Sequence, residues 1–134
     1  MKYIKLLKLF VVGLALLLTD AAFAQSKGPW VAPESANAIK NPFAGNADAT
    51  KKGKKLYNQL CNICHGDQGK GDGMAGAALT PKPADLTSDK VQSQSDGAIY
   101  WKITNGRPPM AAYKDVLKEE ERWQLVNYIR TLKK

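Results

Sequence analysis

Apolar residues follow a helical period in three segments of this chain, and the first segment begins at about residue 46. Asp48 or Thr50 is placed to cap this helix. Beyond the cap, Leu56, Tyr57 and Leu60 recur at positions that fall on one side of a helix. We therefore expect a helix that packs through these three side chains.

A second, shorter helix is indicated farther along the chain. Ser95 or Asp96 is placed to begin it, and Gly106 is placed to end it. Its apolar residues are Ile99, Tyr100 and Ile103.

The last helix has the clearest pattern. Three glutamates, Glu119 to Glu121, occupy its first turn, and the basic residues Arg130, Lys133 and Lys134 are expected in its last turn. This distribution of charge complements the helix dipole. The predicted buried side consists of Trp123, Val126, Ile129 and Leu132, supported by Leu125 and Tyr128.

The remaining segments lack helical periodicity. Residues 66–73 hold four glycines and predict a loop; a phosphate-binding loop is excluded because the Gly-Lys-Ser/Thr ending and a preceding strand are missing. Pro81 and Pro83 keep residues 79–90 irregular, and the prolines of Arg107-Pro108-Pro109-Met110 predict an extended loop. Because no segment alternates like a β-strand, the predicted fold class is all-α with long loops.

The first 24 residues have the pattern of a secretory signal peptide. Lys2, Lys5 and Lys8 precede an apolar run from Leu9 to Leu18, and Ala22-Phe23-Ala24 supplies the cleavage site. The run is shorter than the roughly 20 residues that span a bilayer, and an uncleaved membrane anchor is the alternative. Export places the rest of the chain in the periplasm or on the outer face of the cytoplasmic membrane.

Residues 25–45 hold three of the seven prolines. We expect them to form an N-terminal extension or linker without regular structure. Trp30 and Phe43 suggest that parts of this segment lie against the domain, which is expected to occupy residues 46–134.

Charge restricts the partners of the chain. The formal net charge is +8; after removal of the leader, with its three lysines and one aspartate, 17 basic and 11 acidic residues leave a net charge near +6. Export argues against nucleic acid as a partner, so the basic residues favour an acidic protein surface or an anionic membrane face. The lysines of residues 51–55 form one basic run, for which the simplest interpretation is a solvated helix face.

The composition after residue 24 is poor in large apolar side chains. Thirteen of the apolar residues in this part are alanine, and leucine, isoleucine, valine and phenylalanine are scarce. A chain of this size with such a composition needs another body around which to pack.

One motif carries chemistry: Cys61-Asn62-Ile63-Cys64-His65. Two thiols at this spacing can add to the two vinyl groups of a haem, with His65 as the fifth ligand of its iron, and the pattern is typical of c-type haem attachment. Structural zinc requires four Cys or His ligands, and the chain has three. A thioredoxin-like pair would accompany a βαβ pattern, and a plain disulfide would leave the poor core unexplained. The expected cofactor is therefore one covalently attached haem c.

Over residues 46–134 the chain resembles the class I, monohaem cytochromes c of the exported bacterial type. The resemblance rests on Gly53 and Tyr57 before the motif, on the methionine loop Gly-Arg-Pro-Pro-Met, and on the final Trp-x-x-Val-x-Tyr-Ile helix. It implies three to four short helices wrapped around one covalently bound haem, with long loops. It also implies that the first and last helices cross closely, with Gly53 against Trp123 or Tyr128.

The resemblance implies further site residues. In this family the carbonyl of a proline after the motif bonds the other ring nitrogen of the ligating histidine, and the candidates are Pro81 and Pro83. Trp101, Lys102 and Arg107 are candidates for contacts with the haem propionates.

Met110 is expected as the second axial ligand of the iron. After the leader the chain holds two methionines, Met74 and Met110. Met74 follows the flexible Gly71-Asp72-Gly73, which would lose much entropy if held at a metal. Met110 follows Pro108-Pro109, whose fixed backbone angles reduce that loss, and it lies just ahead of the final helix, where the family carries its ligand.

These features predict an electron-transfer protein that cycles one haem between Fe(II) and Fe(III) in a respiratory chain, with no catalytic residue, no small-molecule substrate and no nucleic acid partner. The expected partners are redox proteins, a membrane reductase or a terminal oxidase or reductase, met through a basic surface. The alternative is a cytochrome c subunit or tethered module of a larger membrane respiratory complex. A haem peroxidase or ligand-binding haem protein is less well supported. A peroxidase usually needs a distal acid or base, and a ligand-binding protein needs a weak or absent distal methionine.

Overall fold

The computed structural model describes residues 28–134, so the predicted signal peptide, residues 1–24, lies outside the described residues. The chain divides into two units, Met1–Trp30 and Val31–Lys134, and the fold that follows is that of the second unit. Its helices are α1 (Glu34–Asn37), α2 (Ala47–Leu60), α3 (Asn62–His65), α4 (Asp89–Gln92), α5 (Asp96–Asn105) and α6 (Glu119–Arg130), with a 3₁₀ turn at Gly76–Ala78.

The three longer helices, α2, α5 and α6, are those that the periodicity predicts, and the other three α-helices have four residues each. Between residues 28 and 134 there is no β-strand, only one isolated bridge, so the prediction of an all-α fold is confirmed. None of the helices in this range is long and apolar enough to cross a membrane.

Helix α2 begins directly after Asn46, whose side-chain oxygen accepts a hydrogen bond of 2.9 Å from the Ala49 N–H. The prediction of Asp48 or Thr50 as the cap is wrong, because both residues lie inside the helix. Asn46 combines an extended backbone with a side-chain acceptor, which is what an N-cap requires.

The inner face of α2 packs across α6 at a glycine. A Cβ atom on Gly53 would lie 1.9 Å from the carbonyl oxygen of Gln124, so the two backbones touch there. The close crossing expected from the resemblance is confirmed, but Gly53 meets the backbone of Gln124 and not the ring of Trp123 or Tyr128. Tyr128 instead packs one turn farther along α2, where its ring centroid lies 5.1 Å from that of Tyr57.

Helix α5 has the ends that the sequence predicts. The Ser95 hydroxyl accepts a hydrogen bond of 3.0 Å from the Ala98 N–H, and Gly106 follows the last residue of the helix. The Tyr100 ring of α5 stacks on Trp123 of α6, with centroids 4.0 Å apart and planes 14° from parallel. Helices α5 and α6 are therefore joined through an aromatic pair.

Helix α6 is buried from Arg122 to Ile129, which confirms the predicted apolar side in this range. The helix ends at Arg130, so Lys133 and Lys134 follow the helix instead of filling its last turn.

The segment before α2 is partly regular, which corrects the expectation for residues 25–45. Glu34–Asn37 form α1, and its Ala36 belongs to a small buried cluster with Ala32 and Ala98, against which Trp101 packs. The expectation of an irregular linker is wrong for this part, because its alanines find a partner in α5.

Polar contacts hold the later part of the same segment against α5 and α6. The Asn41 side-chain amide donates to the Asp96 carboxylate at 2.9 Å and to the Asn127 side chain at 2.7 Å. Phe43 packs against the main core, as expected from the sequence. The segment from Ala32 to Phe43 is therefore a packed part of the domain.

Residues 107–110 form a tight turn, not the extended loop that the prolines predicted. The Met110 N–H donates to the Arg107 carbonyl at 2.8 Å, and the Arg107 N–H donates to the Met110 carbonyl at 3.1 Å. The two central prolines suit such a turn, because neither central position has to donate a hydrogen bond.

Candidate functional site

The Cys-x-x-Cys-His segment lies where α2 ends. Cys61 stands between α2 and α3, and its backbone (φ −114°, ψ −37°) departs from regular helix. The N–H groups of Cys64 and His65 both donate to the Cys61 carbonyl, at 3.1 and 2.8 Å. The three residues therefore lie on one backbone turn, and both thiols are free and partly buried.

The surroundings of the Cys61 thiol do not favour disulfide exchange. Burial raises the pKa of the Cys61 thiol to about 12, and the neighbouring Cys64 raises it further in the same direction. Exchange-active Cys-x-x-Cys pairs need the opposite effect, a lowered thiol pKa. The Cys61 thiol therefore lacks the lowered pKa that cycling between dithiol and disulfide requires.

His65 is oriented by a backbone carbonyl. Its Nδ1 lies 3.1 Å from the carbonyl oxygen of Ala84. A carbonyl oxygen only accepts, so Nδ1 carries the proton and Nε2, on the far side of the ring, keeps its lone pair for a metal. Burial lowers the pKa of His65, which also favours the neutral ring.

The prediction that the carbonyl of Pro81 or Pro83 bonds the His65 ring is wrong. The Pro83 carbonyl oxygen lies instead 2.5 Å from where a Cβ atom on Gly71 would be, so it faces the glycine-rich loop. The next carbonyl along the chain, that of Ala84, points to His65.

Residues 66–73 form the loop that their glycines predict, and this loop folds back onto the attachment turn. The N–H groups of Gly71, Gly73 and Ala75 donate to the carbonyls of His65, Cys64 and Ile63 at 2.8, 3.1 and 2.9 Å. The Tyr57 hydroxyl donates to the Gly66 carbonyl at 2.6 Å. The backbone of the attachment turn is thus held both by the loop that follows it and by Tyr57 of α2.

The two methionines have contrasting environments. Met110 lies in the closed turn of residues 107–110 and packs, partly buried, against the main core. Met74 is 84 % exposed.

Tyr113 is a site residue that the sequence did not reveal. Its hydroxyl donates to the Leu60 carbonyl at 3.2 Å, and Leu60 directly precedes Cys61. Burial first, and then the nearby Cys61 and Cys64, raise the pKa of Tyr113. Tyr113 therefore ties the loop that carries Met110 to the end of α2, and a single tyrosine in an irregular segment gave no signal of this.

The three candidate propionate contacts divide into Trp101 on one side and Lys102 with Arg107 on the other. Trp101 packs against the alanine cluster beside α1. Lys102 lies near Arg107 and Lys90: its pKa is lowered by burial and then by these two cations. The structure therefore gives Trp101 a packing partner and brings Lys102 and Arg107 together.

The residues around the motif fit a haem. The thiols are free, Nε2 of His65 points away from Ala84, and several side chains pack on the main core while staying partly exposed. These side chains are Leu60, Leu86, Met110 and Tyr113. Apolar surface of this kind is what a large flat ring covers.

Residues 48–129 match the family model described as "Cytochrome C oxidase, cbb3-type, subunit III". The chain is 37 % identical over 99 residues to the cytochrome c-554(547) of Halothiobacillus neapolitanus, which covers 67 % of this chain and 100 % of that protein. It is 38 % identical over 77 residues to the cytochrome c6 of Anabaena variabilis, covering 58 % of this chain and 84 % of that protein.

Solved structures show the same fold. A chain of the Kuenenia stuttgartiensis reducing HAO-like protein complex Kustc0457/Kustc0458 superposes with a TM-score of 0.62 at 28 % identity, over 72 % of this chain and 50 % of that one. This protein therefore spans half the length of that neighbour. The c-type cytochrome KustC0563 superposes with a TM-score of 0.53 at 33 % identity, over 61 % of this chain and 98 % of its own.

The family model covers more than half of the chain, and a relative aligned over its whole length is 37 % identical. With an attachment turn that presents two free thiols beside an oriented histidine, the chain belongs to the class I cytochrome c family, electron-transfer proteins that carry covalently bound haem c.

Proposed function

We propose that this protein is a single-haem electron carrier of a respiratory chain. Cys61 and Cys64 hold the haem through thioether bonds, and His65 and Met110 are the two axial ligands of its iron. The observation that carries the proposal is the tie at the end of α2, where the Tyr113 hydroxyl joins the methionine-bearing loop to the carbonyl of Leu60, next to the attachment turn.

The bound haem supplies an iron that alternates between Fe(II) and Fe(III). Backbone groups of the protein would hold the two ligating side chains in place. Ala84 holds the His65 ring in one orientation, and Met110 lies in a turn closed by two backbone hydrogen bonds. With both axial positions filled by side chains, no position stays open for a substrate, and we propose a carrier without enzymatic activity.

We place the carrier in the periplasm or on the outer face of the cytoplasmic membrane. The support for this is the signal-peptide pattern of residues 1–24: three lysines, an apolar run and an Ala-Phe-Ala site.

The proposed partners are redox proteins, a membrane reductase and a terminal oxidase or reductase, with acidic docking surfaces. The support is the net charge near +6 after residue 24. It is concentrated in part on α2, where Lys51, Lys52, Lys54 and Lys55 are all exposed. Opposite charge accelerates encounter between such partners.

A second candidate function is a cytochrome c subunit or tethered module of a larger respiratory complex. Two observations favour it: the family model is named for an oxidase subunit, and one structural neighbour is part of a protein complex. Cell fractionation separates the two candidates, because a carrier is recovered with the soluble periplasm and a subunit with the membrane complex.

Mass spectrometry of the denatured protein tests the attachment. We expect one haem to remain on a chain that begins at Gln25, because thioether bonds survive unfolding. Cys61→Ala or Cys64→Ala would leave one thioether or none and sharply reduce the yield of haem protein. A mass without haem, or one that retains residues 1–24, contradicts the corresponding part of the proposal.

Carbon monoxide distinguishes the carrier from a peroxidase or ligand-binding protein. If His65 and Met110 fill both axial positions, the spectrum of the reduced protein changes little when carbon monoxide is added. A large and immediate change of the spectrum would show an open coordination position and contradict the proposal of an electron carrier.

A further inference from the structure

Arg122 is a buried cation to which the electron-transfer site assigns no role. It is 9 % exposed in α6, and within residues 28–134 no carboxylate lies at ion-pair distance from it. Burying an ionised group without a counter-charge is costly unless hydrogen bonds compensate for the lost water. The partners of Arg122 therefore show which parts of the fold this charge holds in place.

The guanidinium binds two carbonyls and one hydroxyl. Nη1 donates to the carbonyls of Leu117 at 2.6 Å and Lys114 at 3.2 Å, and Nη2 donates to the Tyr100 hydroxyl at 2.8 Å. The guanidinium carbon also lies 5.2 Å from the centre of the Tyr100 ring. Its Nε is buried and has no hydrogen-bond partner, so within the described residues the guanidinium is held through its two terminal nitrogens.

Both carbonyls belong to residues 106–118, named here the methionine loop because it carries Met110 between α5 and α6. Tyr113 fastens the middle of this loop: its N–H donates to the Ile103 carbonyl at 3.1 Å and its hydroxyl donates to Leu60. Beyond Tyr113, Arg122 fastens the remaining half to α6.

We propose that Arg122 is a positioning residue for Met110, which it serves by holding the methionine loop closed against α6. This inference rests on the proposed role of Met110 as an axial ligand. The planar guanidinium can bond two carbonyls and a hydroxyl at once, which a lysine ammonium of shorter reach cannot do in the same geometry. A loop released at one end opens more often, and each opening removes Met110 from the iron.

Arg130 provides a matched control. It lies on the same helix and also binds two backbone carbonyls, those of Gln92 and Gln94, together with the Asp96 carboxylate. None of these groups belongs to the methionine loop. Arg130→Met therefore removes a comparable set of hydrogen bonds from α6 without releasing Met110.

The experiment measures the rate at which imidazole binds to the ferric protein, beside the thermal unfolding midpoint. We expect Arg122→Met to bind imidazole at least about tenfold faster than the wild type, because hydrogen bonds to a charged group contribute at least that factor to a closing equilibrium. Arg130→Met should unfold at a lower temperature yet bind imidazole at the wild-type rate. Equal binding rates in the two variants would mean that Arg122 acts only on stability and would overturn the inference.

Arg122→Lys keeps the experiment decisive if Arg122→Met does not fold. This variant preserves the charge and loses the fork, so we expect a rate raised about threefold; an unchanged rate overturns the inference. The far-red methionine–iron band tests the role of Met110 as a ligand separately from the role of Arg122. If the wild type lacks this band, or Met110→Ala retains it, the proposed ligand is wrong, whatever the Arg122 variants do.

Discussion

At the scale of single residues, the choice between the two methionines depends on how firmly each side chain is held. A side chain that binds the iron in both oxidation states has to keep a fixed position. Met110 is held by a closed turn and by the main core. Met74 is 84 % exposed and has no comparable support.

Met110→Ala is expected to abolish the far-red methionine–iron absorption band, lower the reduction potential and allow carbon monoxide to bind the reduced protein. The potential falls because loss of the thioether ligand removes a group that favours Fe(II). Met74→Ala is the control and should keep the wild-type spectrum and potential. If these changes occur in Met74→Ala while Met110→Ala keeps its spectrum, the assignment is reversed.

Tyr57 links α2 to the attachment turn through one hydrogen bond. The residue is 0 % exposed, and its hydroxyl donates to the Gly66 carbonyl at 2.6 Å. Tyr57→Phe should lower the free energy of unfolding by about 1 to 3 kcal/mol, because the buried carbonyl loses its donor. Denaturant unfolding at pH 7 measures this value, and no loss of stability would contradict the contribution of the hydroxyl.

The same residue predicts a dependence on pH. Burial, as the largest cause, raises the pKa of Tyr57 far above its ordinary value of 10.0. The folded protein therefore keeps the neutral hydroxyl while the unfolded chain ionises, so stability is fully present below about pH 10 and declines as the pH rises above it. Tyr57→Phe should show a smaller decline between pH 7 and pH 10.5 than the wild type.

At the scale of the secondary-structure elements, the crossing of α2 and α6 depends on the missing side chain of Gly53. Alanine at this position would favour the helix by about 1 kcal/mol. Its Cβ, however, would lie 1.9 Å from the Gln124 carbonyl oxygen, an atom of a helix backbone that cannot move alone.

Gly53→Ala is therefore expected to lower the free energy of unfolding by about 2 kcal/mol or more, since overpacking outweighs helix propensity. Asn58→Ala, at an exposed position of the same helix, is the control and should leave stability unchanged or slightly raised. Thermal and denaturant unfolding of both variants measure these changes in stability. Equal stability would mean that the helices do not pack this closely.

Helix α1 shows that the formation of a short helix depends on tertiary contacts. Four residues are too few to form a stable helix alone or to show a hydrophobic period. The carbonyl of Ala36 lies 1.9 Å from the position of a Cβ atom on Gly97, so α1 rests directly on the backbone of α5. This contact joins Ala36 and Gly97, which are 61 positions apart, and it explains why a segment rich in proline forms a helix.

At the scale of the whole molecule, the excess of positive charge predicts how electron transfer responds to salt. Exposed charges are screened beyond about 10 Å at 0.1 M salt. The rate of transfer to an acidic partner should therefore fall as ionic strength rises, measured by stopped-flow mixing. A rate indifferent to ionic strength would contradict docking through complementary charge.

Paired charge reversals locate this effect on the surface. The double variant Lys51→Glu, Lys54→Glu changes the exposed side of α2, and Lys133→Glu, Lys134→Glu changes the net charge by the same amount after α6. If the partner meets α2, the first pair should weaken the dependence on salt more than the second pair. Equal effects would show that net charge alone steers the encounter.

Local features of this protein are determined by its sequence alone. The three longer helices, the all-α class and the glycine-rich loop follow from residues close together in the chain, because helical periodicity and turn preference are local properties. The haem attachment motif is local too, since its two thiols and histidine occupy five consecutive positions.

Only the tertiary structure decided which distant groups meet. Every residue has a carbonyl, so the path of the chain, and not residue type, made Ala84 the partner of His65, 19 positions away. In the same way a backbone, and not an aromatic ring, fills the space at Gly53, and Arg122 reaches the methionine loop. Such contacts are set by how the helices pack, and no local pattern of side chains encodes them.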